Sequence, residues 1–252
     1  MLEVLALSIL QGIAEFLPIS SSGHLVLGKN LLGLEEAGLR LDIFLHVGTL
    51  VAIFAFYRNV IVRILTKFEW KYMLKVILSA VPAGLVGILF KDQLETIFAS
   101  PKMVGAALLV TGVVLTITRV LPRGEKDVSY GRALLIGLAQ AVAILPGVSR
   151  SGMTLAAARA TRVDAEKSAE FSFLMSAPPI AGAALLEVLK GLKATPEALQ
   201  EGSWTLCILG AVIAAFVGYW SLKFLLKSLK SDKFWLFGPY CFLAGILTIV
   251  FA

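Results

Sequence analysis

Two interrupted apolar segments decide the fold: QGIAEFLPISSSGH at residues 11–24 and PGVSRSGMT at residues 146–154. In both places an apolar stretch able to form a helix runs into a proline and a serine-rich turn, and a short apolar stretch resumes after it. Proline breaks a helix, and serine and glycine favour turns. We therefore predict two broken helices, each folded back on itself as a hairpin.

The composition of the whole chain is that of a membrane protein. Of its 252 residues, 58% are hydrophobic and 16% are charged, with a mean hydropathy of +0.86. A soluble chain of this length carries about a quarter charged residues, so a soluble domain is excluded, as are disordered, collagen-like and disulfide-stapled classes. Cys207 and Cys241 both lie in apolar blocks, which indicates reduced core residues rather than a disulfide or metal ligands.

Six apolar blocks are long enough to cross a bilayer, for which about 20 residues are needed. They are residues 41–57, 73–90, 103–120, 171–189, 204–222 and 234–252. We therefore predict an all-α integral membrane protein with six transmembrane helices plus two re-entrant broken-helix hairpins. The whole chain, residues 1–252, then forms a single polytopic membrane domain.

The basic residues predict the orientation, because cytoplasmic loops are enriched in Lys and Arg. Sixteen of the 23 lie in four clusters, at residues 58–75, 119–132, 159–167 and 223–233. These clusters share one side of the membrane if both hairpins return to the side from which they start. Both termini then lie outside, and Arg150 is left at a hairpin tip. The N-terminus has no basic region or cleavage site, so we expect no cleaved signal peptide.

An internal repeat relates the two hairpins. A shift of 129 residues pairs identical residues: Gln11 with Gln140, Ala14 with Ala143, Ser20 with Ser149, Ser22 with Ser151, Gly23 with Gly152, Phe44 with Phe173 and Leu45 with Leu174. The charge pattern makes one hairpin start outside and the other inside. We therefore predict an inverted-topology repeat, of about residues 1–120 and 130–252, whose broken helices meet near the midplane and form a site there.

The first hairpin carries an acid, hydroxyls and an imidazole. Gln11 and Glu15 are four residues apart and share a helix face, while Ser21 and His24 are neighbours if the second half-helix starts at the serines. Ionisable groups at membrane depth cost a few kcal/mol unless paired or hydrated, and are therefore functional candidates. A serine-capped helix start also exposes backbone amides that attract an anion.

The second hairpin supplies a cation. Arg150 presents a planar fork of donors suited to phosphate oxygens, flanked by the hydroxyls of Ser149 and Ser151 and followed by Thr154. Together with the first tip, it predicts a site for a multiply charged anion such as a pyrophosphate. His46 lies inside an apolar block, and we interpret it as a packed or interface residue, with a place in the cavity lining as the alternative.

At these residues the chain resembles a known family. Residues 11–24 resemble the (E/Q)xxxE motif and following serines and histidine of the undecaprenyl-pyrophosphate phosphatases, the bacitracin-resistance (UppP/BacA) family. Residues 146–154 are similar to the PGxSRSxxT motif of that family, and the pattern of spans is similar along essentially the whole chain. Gln11 stands where many members carry glutamate.

The resemblance implies an enzyme, a multi-pass hydrolase of the cell membrane. It would remove the terminal phosphate of undecaprenyl pyrophosphate, releasing undecaprenyl phosphate, the lipid carrier that is recycled for peptidoglycan and cell-wall synthesis. The resemblance also implies an active site facing the extracytoplasmic side, bacitracin resistance on overproduction, and a divalent cation, Mg²⁺ or Ca²⁺. The expected partners are a polyprenyl pyrophosphate lipid, the membrane and a second copy in a homodimer, with no nucleic acid.

Several roles are left open by the sequence. Arg150 and the hydroxyls of both tips are predicted to bind phosphate; the hydroxyls are those of Ser20, Ser22, Ser149, Ser151 and Thr154. Either Ser21 attacks phosphorus while His24 or Glu15 takes its proton, or His24 attacks with Glu15 as acid or base. Gln11 and Glu15 are alternatively metal-positioning residues. The rival function is a polyprenyl-phosphate flippase or an anion transporter built on the same repeat.

Overall fold

The computed structural model describes residues 1–32, 39–90, 100–193 and 204–251, and this part of the chain is helical, with an isolated bridge between Lys126 and Val163 as its β-pairing. The helices are α1 Leu2–Ala14, α2 Ser21–Leu32, α3 Leu39–Phe56, α4 Arg58–Thr66, α5 Trp70–Leu89, α6 Pro101–Ile117, α7 Tyr130–Val142, α8 Arg150–Ala160, α9 Ala165–Lys193, α10 Trp204–Lys230 and α11 Phe237–Phe251. Short 3₁₀ turns at Thr118–Val120 and Phe234–Leu236 extend α6 and precede α11. The predicted all-α class is confirmed.

Several of these helices can cross a membrane. Within the described residues, four are long and apolar enough: Trp70–Leu89, Pro101–Val120, Trp204–Lys230 and Phe234–Phe251. A fifth results if α3 and α4, bent by 71° relative to each other, count as one span. The chain is therefore a multi-pass membrane protein. The predicted span at residues 171–189 falls within α9, which contains Pro178 and Pro179, and the count of six stays a prediction.

Both predicted helix breaks are present. α1 ends at Ala14 and α2 begins at Ser21, and α7 ends at Val142 and α8 begins at Arg150. Each break contains a residue in the left-handed region, Ser20 with φ of 71° and Gly147 with φ of 91°. A side chain at Gly147 would be strained by this conformation and would also collide with the Val104 carbonyl on α6. The return of each hairpin to its starting side stays a prediction.

The two broken helices are held between long helices from opposite halves of the chain. α1 packs on α10 and α7 packs on α5, so each hairpin leans on a helix of the other half. α6 and α11 form a close pair, because a Cβ built on Gly112 would lie only 3.1 Å from the Gly238 carbonyl oxygen. Beneath the first tip, Phe16 meets Phe173 edge to face with ring centroids 5.5 Å apart.

Charged residues gather where the loops after α6 and α8 meet. The two loops are joined through the bridge between Lys126 and Val163, and Lys167 Nζ lies 2.5 Å from Asp127 Oδ1. The Lys167 hydrogen bond lowers the pKa of the Asp127 carboxyl below its ordinary value. Both residues are exposed, so this pair contributes little to stability. It marks an end of the bundle that lies in contact with water.

Candidate active site

The two hairpin tips meet each other inside the protein. A Cβ built on Gly23 would lie 3.2 Å from the Gly147 Cα, and one built on Gly152 would lie 3.4 Å from the Pro18 Cβ. A shift of 129 residues turns the first pair of residues into the second, because it carries Gly23 to Gly152 and Pro18 to Gly147. The contact is therefore reciprocal, and its small residues allow the two backbones to approach closely.

The helices that follow the tips begin in the same way. The Ser20 hydroxyl accepts a hydrogen bond from the Gly23 backbone N–H at 3.4 Å, and the Ser149 hydroxyl accepts one from the Gly152 N–H at 3.1 Å. Serine caps of this kind satisfy one of the free amides at a helix start. Two capped helix N-termini thus lie side by side, and each favours negative charge nearby.

Each tip also contains a pair of serine hydroxyls in contact with each other. Ser20 and Ser22 have their hydroxyl oxygens 3.4 Å apart, and Ser149 and Ser151 have theirs 3.3 Å apart. Ser151 also donates to the Leu17 carbonyl oxygen at 3.3 Å, which ties the second tip to the first. Ser20, Ser149 and Ser151 are buried, so their hydroxyls are engaged within the tips.

Glu15 lies at the centre of the site. Its side chain is 3% exposed, and its Oε1 accepts a hydrogen bond from Arg150 Nη2 in an ion pair. Its Oε2 accepts from the Ser21 hydroxyl at 2.7 Å and from Gln11 Nε2 at 3.1 Å. A buried carboxylate needs such donors to remain charged. The structure therefore brings three predicted site residues, Arg150, Ser21 and Gln11, around the carboxylate of a fourth.

Arg150 and Ser21 are the first residues of α8 and α2, and the shift of 129 residues carries Ser21 to Arg150. The Arg150 side chain is 23% exposed, and Ser21 is partly exposed, so both can be reached from outside the protein interior. Within the described part of the chain, Glu15 is the acceptor for the Arg150 guanidinium, which leaves further N–H donors for an anion.

Thr111 on α6 holds the second tip, and sequence reasoning missed it. Its hydroxyl donates to the Gly147 carbonyl oxygen at 3.0 Å and accepts from the Ser149 backbone N–H at 3.0 Å. Both groups belong to a break in helical hydrogen bonding, where they would otherwise lack partners. A hydroxyl in the middle of an apolar span was the available signal.

Thr154 lies one turn beyond the tip, and its hydroxyl points away from it. Thr154 Oγ1 donates to the Arg150 carbonyl oxygen at 2.8 Å and lies 2.5 Å from the Ser172 hydroxyl on α9. It is fully buried. The structure thus gives Thr154 contacts that join α8 to α9, with no contact to the guanidinium among the described residues.

His24 is buried and held on both sides of its ring. Its Nδ1 lies 2.9 Å from the Ser20 carbonyl oxygen, and its Nε2 lies 2.8 Å from the Tyr240 hydroxyl on α11. The two rings stack with centroids 5.7 Å apart. Tyr240 was missed because it sits within an apolar span far away in the sequence.

His46 lines the site, which is the alternative that the sequence left for it. Its Nε2 lies 3.9 Å from Glu15 Oε2, and its Nδ1 lies 2.7 Å from the Asp42 carbonyl oxygen. Its side chain is 34% exposed, much more than that of Glu15. The rule that marks ionisable groups at membrane depth as functional candidates applies to His46 as well.

Gln11 and Glu15 do not by themselves fit a resident metal site. Gln11 donates its amide N–H to Glu15, and both carboxylate oxygens of Glu15 already accept hydrogen bonds, one of them from a cation. This leaves the buried Gln11 Oε1, which has no hydrogen-bond partner among the described residues, as the one free oxygen of the pair. Mg²⁺ and Ca²⁺ take about six or more oxygen ligands. In the part of the chain that the structure describes, no group of three or more His, Cys, Asp or Glu residues could hold a metal.

The chain is similar to known proteins along nearly its whole length. The model of the family described as bacitracin resistance protein BacA matches residues 4–247. The chain is 40% identical to an undecaprenyl-diphosphatase of Halothermothrix orenii, covering 99% of this chain and 97% of that protein. It is 41% identical to undecaprenyl-diphosphatase 3 of Bacillus cereus, covering 99% and 96%, and 39% identical to an undecaprenyl-diphosphatase of Desulfatibacillum aliphaticivorans, covering 99% and 98%. The chain therefore belongs to the BacA family of bacitracin-resistance proteins.

Proposed function

We propose that this protein is a membrane hydrolase that converts undecaprenyl pyrophosphate to undecaprenyl phosphate and inorganic phosphate. Relatives at about 40% identity over nearly their whole length are named undecaprenyl-diphosphatases. The observation that carries the proposal is the Ser21 hydroxyl donating to Glu15 beside Arg150, where two helix N-termini meet. These are the parts that phosphoryl transfer needs: a nucleophile, a base and a cation for the phosphate.

The attacking group in this proposal is Ser21 rather than His24. The Ser20 carbonyl can only accept, so the Nδ1 of His24 carries a proton and donates to it. In the neutral ring the lone pair is then on Nε2, where the Tyr240 hydroxyl donates to it, and a charged ring has no lone pair at all. His24 therefore has no free lone pair for phosphorus, whereas the Ser21 hydroxyl already points its proton at a carboxylate.

The reaction then has two steps. Ser21 Oγ attacks the terminal phosphorus, its proton passes to Glu15, and the bond from phosphorus to the bridging oxygen breaks, releasing undecaprenyl phosphate. Water next attacks the phosphoserine as Glu15 returns its proton to Ser21 Oγ, and the bond from phosphorus to Oγ breaks. This restores the Ser21 hydroxyl and frees inorganic phosphate, which takes both protons of the water. Arg150 and the amides at the starts of α2 and α8 stabilise the negative charge on the phosphoryl oxygens in both steps.

A divalent cation, Mg²⁺ or Ca²⁺, is part of the proposal only as an ion carried by the diphosphate. Both carboxylate oxygens of Glu15 accept hydrogen bonds, which leaves Gln11 Oε1 as the one free oxygen of the pair, so the phosphate oxygens of the substrate would supply most of the ligands. When bound, the ion would neutralise part of the diphosphate charge. The protein's own residues would meet the substrate through Arg150 and the helix N-termini.

The finer architecture also belongs to the proposal. We place six spans and two re-entrant hairpins in an inverted repeat, with both termini and the active site on the extracytoplasmic side of the cell membrane. The reciprocal tip contacts and the matching serine caps support the repeat. A site among membrane helices suits a polyprenyl substrate, because its tail would stay in the surrounding lipid while its diphosphate reaches the tips. A homodimer stays a prediction.

Transport is the alternative function from sequence. Inverted repeats with broken helices occur in transporters, but the relatives bear names of diphosphatases, so a flippase or anion transporter has no support from the comparisons. A carrier also needs no hydroxyl paired with a carboxylate. The Ser21 and Glu15 pair thus favours hydrolysis.

The test is phosphate release from farnesyl or undecaprenyl pyrophosphate by purified protein in detergent, where no gradient exists. We expect release that is lost in Arg150→Ala. Binding of the lipid without release in the unaltered protein would contradict the proposal and favour a carrier.

A further inference from the structure

We propose that Tyr240 is a positioning residue of the active site, which holds His24 and, through it, the turn that presents Ser21. The inference rests on the proposed phosphatase activity and deepens it. It assigns a role to a tyrosine on α11, a helix that contributes none of the residues predicted from the sequence to form the site.

Tyr240 lies on the outward-facing side of α11 and turns its hydroxyl inward. Tyr240 is 44% exposed and shares an apolar, outward-facing stripe of α11 with Leu243 and Leu247, which are 59% and 46% exposed. A tyrosine on such a face would ordinarily keep its hydroxyl near the membrane surface. Here the hydroxyl turns inward instead and lies 2.8 Å from the Nε2 of a buried histidine. His24 is buried, so its Nε2 needs a hydrogen-bond partner, and the Tyr240 hydroxyl supplies one.

The other ring nitrogen of His24, Nδ1, binds the turn that precedes α2. The Ser20 carbonyl oxygen accepts two hydrogen bonds from His24, one from its backbone N–H at 3.1 Å and one from Nδ1–H at 2.9 Å. Ser20 has φ of 71°, a conformation that non-glycine residues adopt only when their surroundings hold them there. The imidazole is one of the groups that hold it.

The turn at Ser20 orients the side chain of Ser21, the proposed nucleophile. Ser21 follows Ser20 directly, so the orientation of the Ser20 peptide determines where α2 starts and where the Ser21 side chain points. The Ser21 hydroxyl lies 2.7 Å from Glu15 Oε2, a geometry that a small rotation of the turn would lose. The neighbouring Cys241 also lies against this turn, with its Sγ 3.5 Å from the Pro18 carbonyl oxygen. Consecutive residues of α11 thus support the first tip.

Loss of the Tyr240 hydroxyl should lower kcat and leave KM nearly unchanged. Tyr240→Phe keeps the stacked ring and removes only the hydroxyl, so the protein should fold and bind lipid normally. We expect kcat to fall about 10-fold, the size of one lost hydrogen bond, with KM within about 2-fold of the unaltered value. A residue that touched the substrate directly would change KM instead.

A double-mutant cycle tests whether Tyr240 acts through His24. His24→Ala should be slower than Tyr240→Phe, and the double variant should be no slower than His24→Ala alone, because the hydroxyl then has nothing to hold. Leu243→Ala, on the same face of α11 and without a partner in the site, is the matched control and should keep full activity. Additive losses, or full activity in Tyr240→Phe, would overturn the proposal.

A spectroscopic measurement is independent of activity. The chain has 2 histidines, so ¹⁵N-histidine labelling gives a spectrum that His46→Ala assigns. We expect His24 to be protonated at Nδ1, and its Nε2 signal to move in Tyr240→Phe and to stay in place in Leu243→Ala. An unchanged Nε2 signal in Tyr240→Phe would overturn the contact itself. Absence of phosphate release by the unaltered protein would instead reject the proposed function and leave this spectrum to judge the contact.

Discussion

The two hairpin tips share a backbone plan and differ in chemistry. Both begin a helix with a serine cap, both pair that serine with a second hydroxyl two residues on, and both carry glycine at the close contact. At the next equivalent positions they diverge: Glu15 corresponds to Ile144, Ser21 to Arg150 and His24 to Met153. In the proposed mechanism the first tip therefore supplies the reactive groups and the second supplies the positive charge.

The equivalent glutamines of the two tips differ in the same way. Gln11 donates its amide to Glu15, whereas the equivalent Gln140 is buried with neither amide atom bonded to any described residue. The carboxylate that would have paired with it is replaced by Ile144. Buried polar groups without a partner are costly, so Gln140 should lower the stability of the protein without supporting a second reactive carboxylate.

The largest expected effect comes from removing the base in the first tip. Glu15→Gln should lower kcat about 10³-fold, since a positioned general base contributes about 10²–10⁴-fold. The neutral amide has nearly the same shape, so the variant should keep its thermal unfolding midpoint. Phosphate release and a melting curve measure both. Retained turnover would reduce Glu15 to a structural hydrogen-bond acceptor.

A somewhat smaller loss of activity is expected when Arg150 in the second tip is replaced by another cation. Arg150→Lys should lower phosphate release about 100-fold, because a point charge cannot reproduce a planar fork that binds Glu15 and phosphate together. Arg150→Ala, measured alongside, should be lower still. Near-normal hydrolysis by Arg150→Lys would show that only the charge matters.

Substitution of the two equivalent glutamines should affect kcat differently, with a smaller loss than in the Arg150 variants. Gln11→Leu should lower kcat about 10-fold, because Glu15 loses a donor, whereas Gln140→Leu should leave kcat unchanged and keep or raise thermal stability. The same substitution at related positions makes each variant the control for the other. Equal losses of activity would contradict the asymmetry between the tips.

The smallest effect is expected on the first half-helix away from the tip. The Ser8 hydroxyl is buried but donates to the Val4 carbonyl within α1, at 2.5 Å. Ser8→Ala should therefore change phosphate release by less than about 2-fold. A large loss would mean that the site depends on packing along the whole of α1 rather than on the tip.

Much of the fold could be predicted because membrane helices and their breaks leave strong local signals. Proline, serine runs and glycine located both interruptions, and hydropathy located the long helices. The bend between α3 and α4 was not predicted, since the charge pattern predicts residues 58–75 only as a basic cluster on one side of the membrane. It occurs at Tyr57, where no proline or glycine marks it.

The site was predictable where neighbours in sequence are neighbours in space. Gln11, Glu15 and Ser21 fall in one short segment, and Arg150 carried a strong charge signal in an apolar chain. Tyr240 and Thr111 act across long sequence separations from within apolar helices, where a hydroxyl leaves a weak signal. Thr154 shares the motif of the second tip, but helix geometry turns its hydroxyl toward Ser172.

The most direct test of the account is the identity of the phosphorylated residue. Rapid quenching after mixing with lipid pyrophosphate radiolabelled on its terminal phosphate should trap an acid-stable phosphoserine at Ser21. The adduct should be absent in Ser21→Ala and still form, more slowly, in His24→Ala. An acid-labile adduct that is lost in His24→Ala would contradict the account and make His24 the nucleophile.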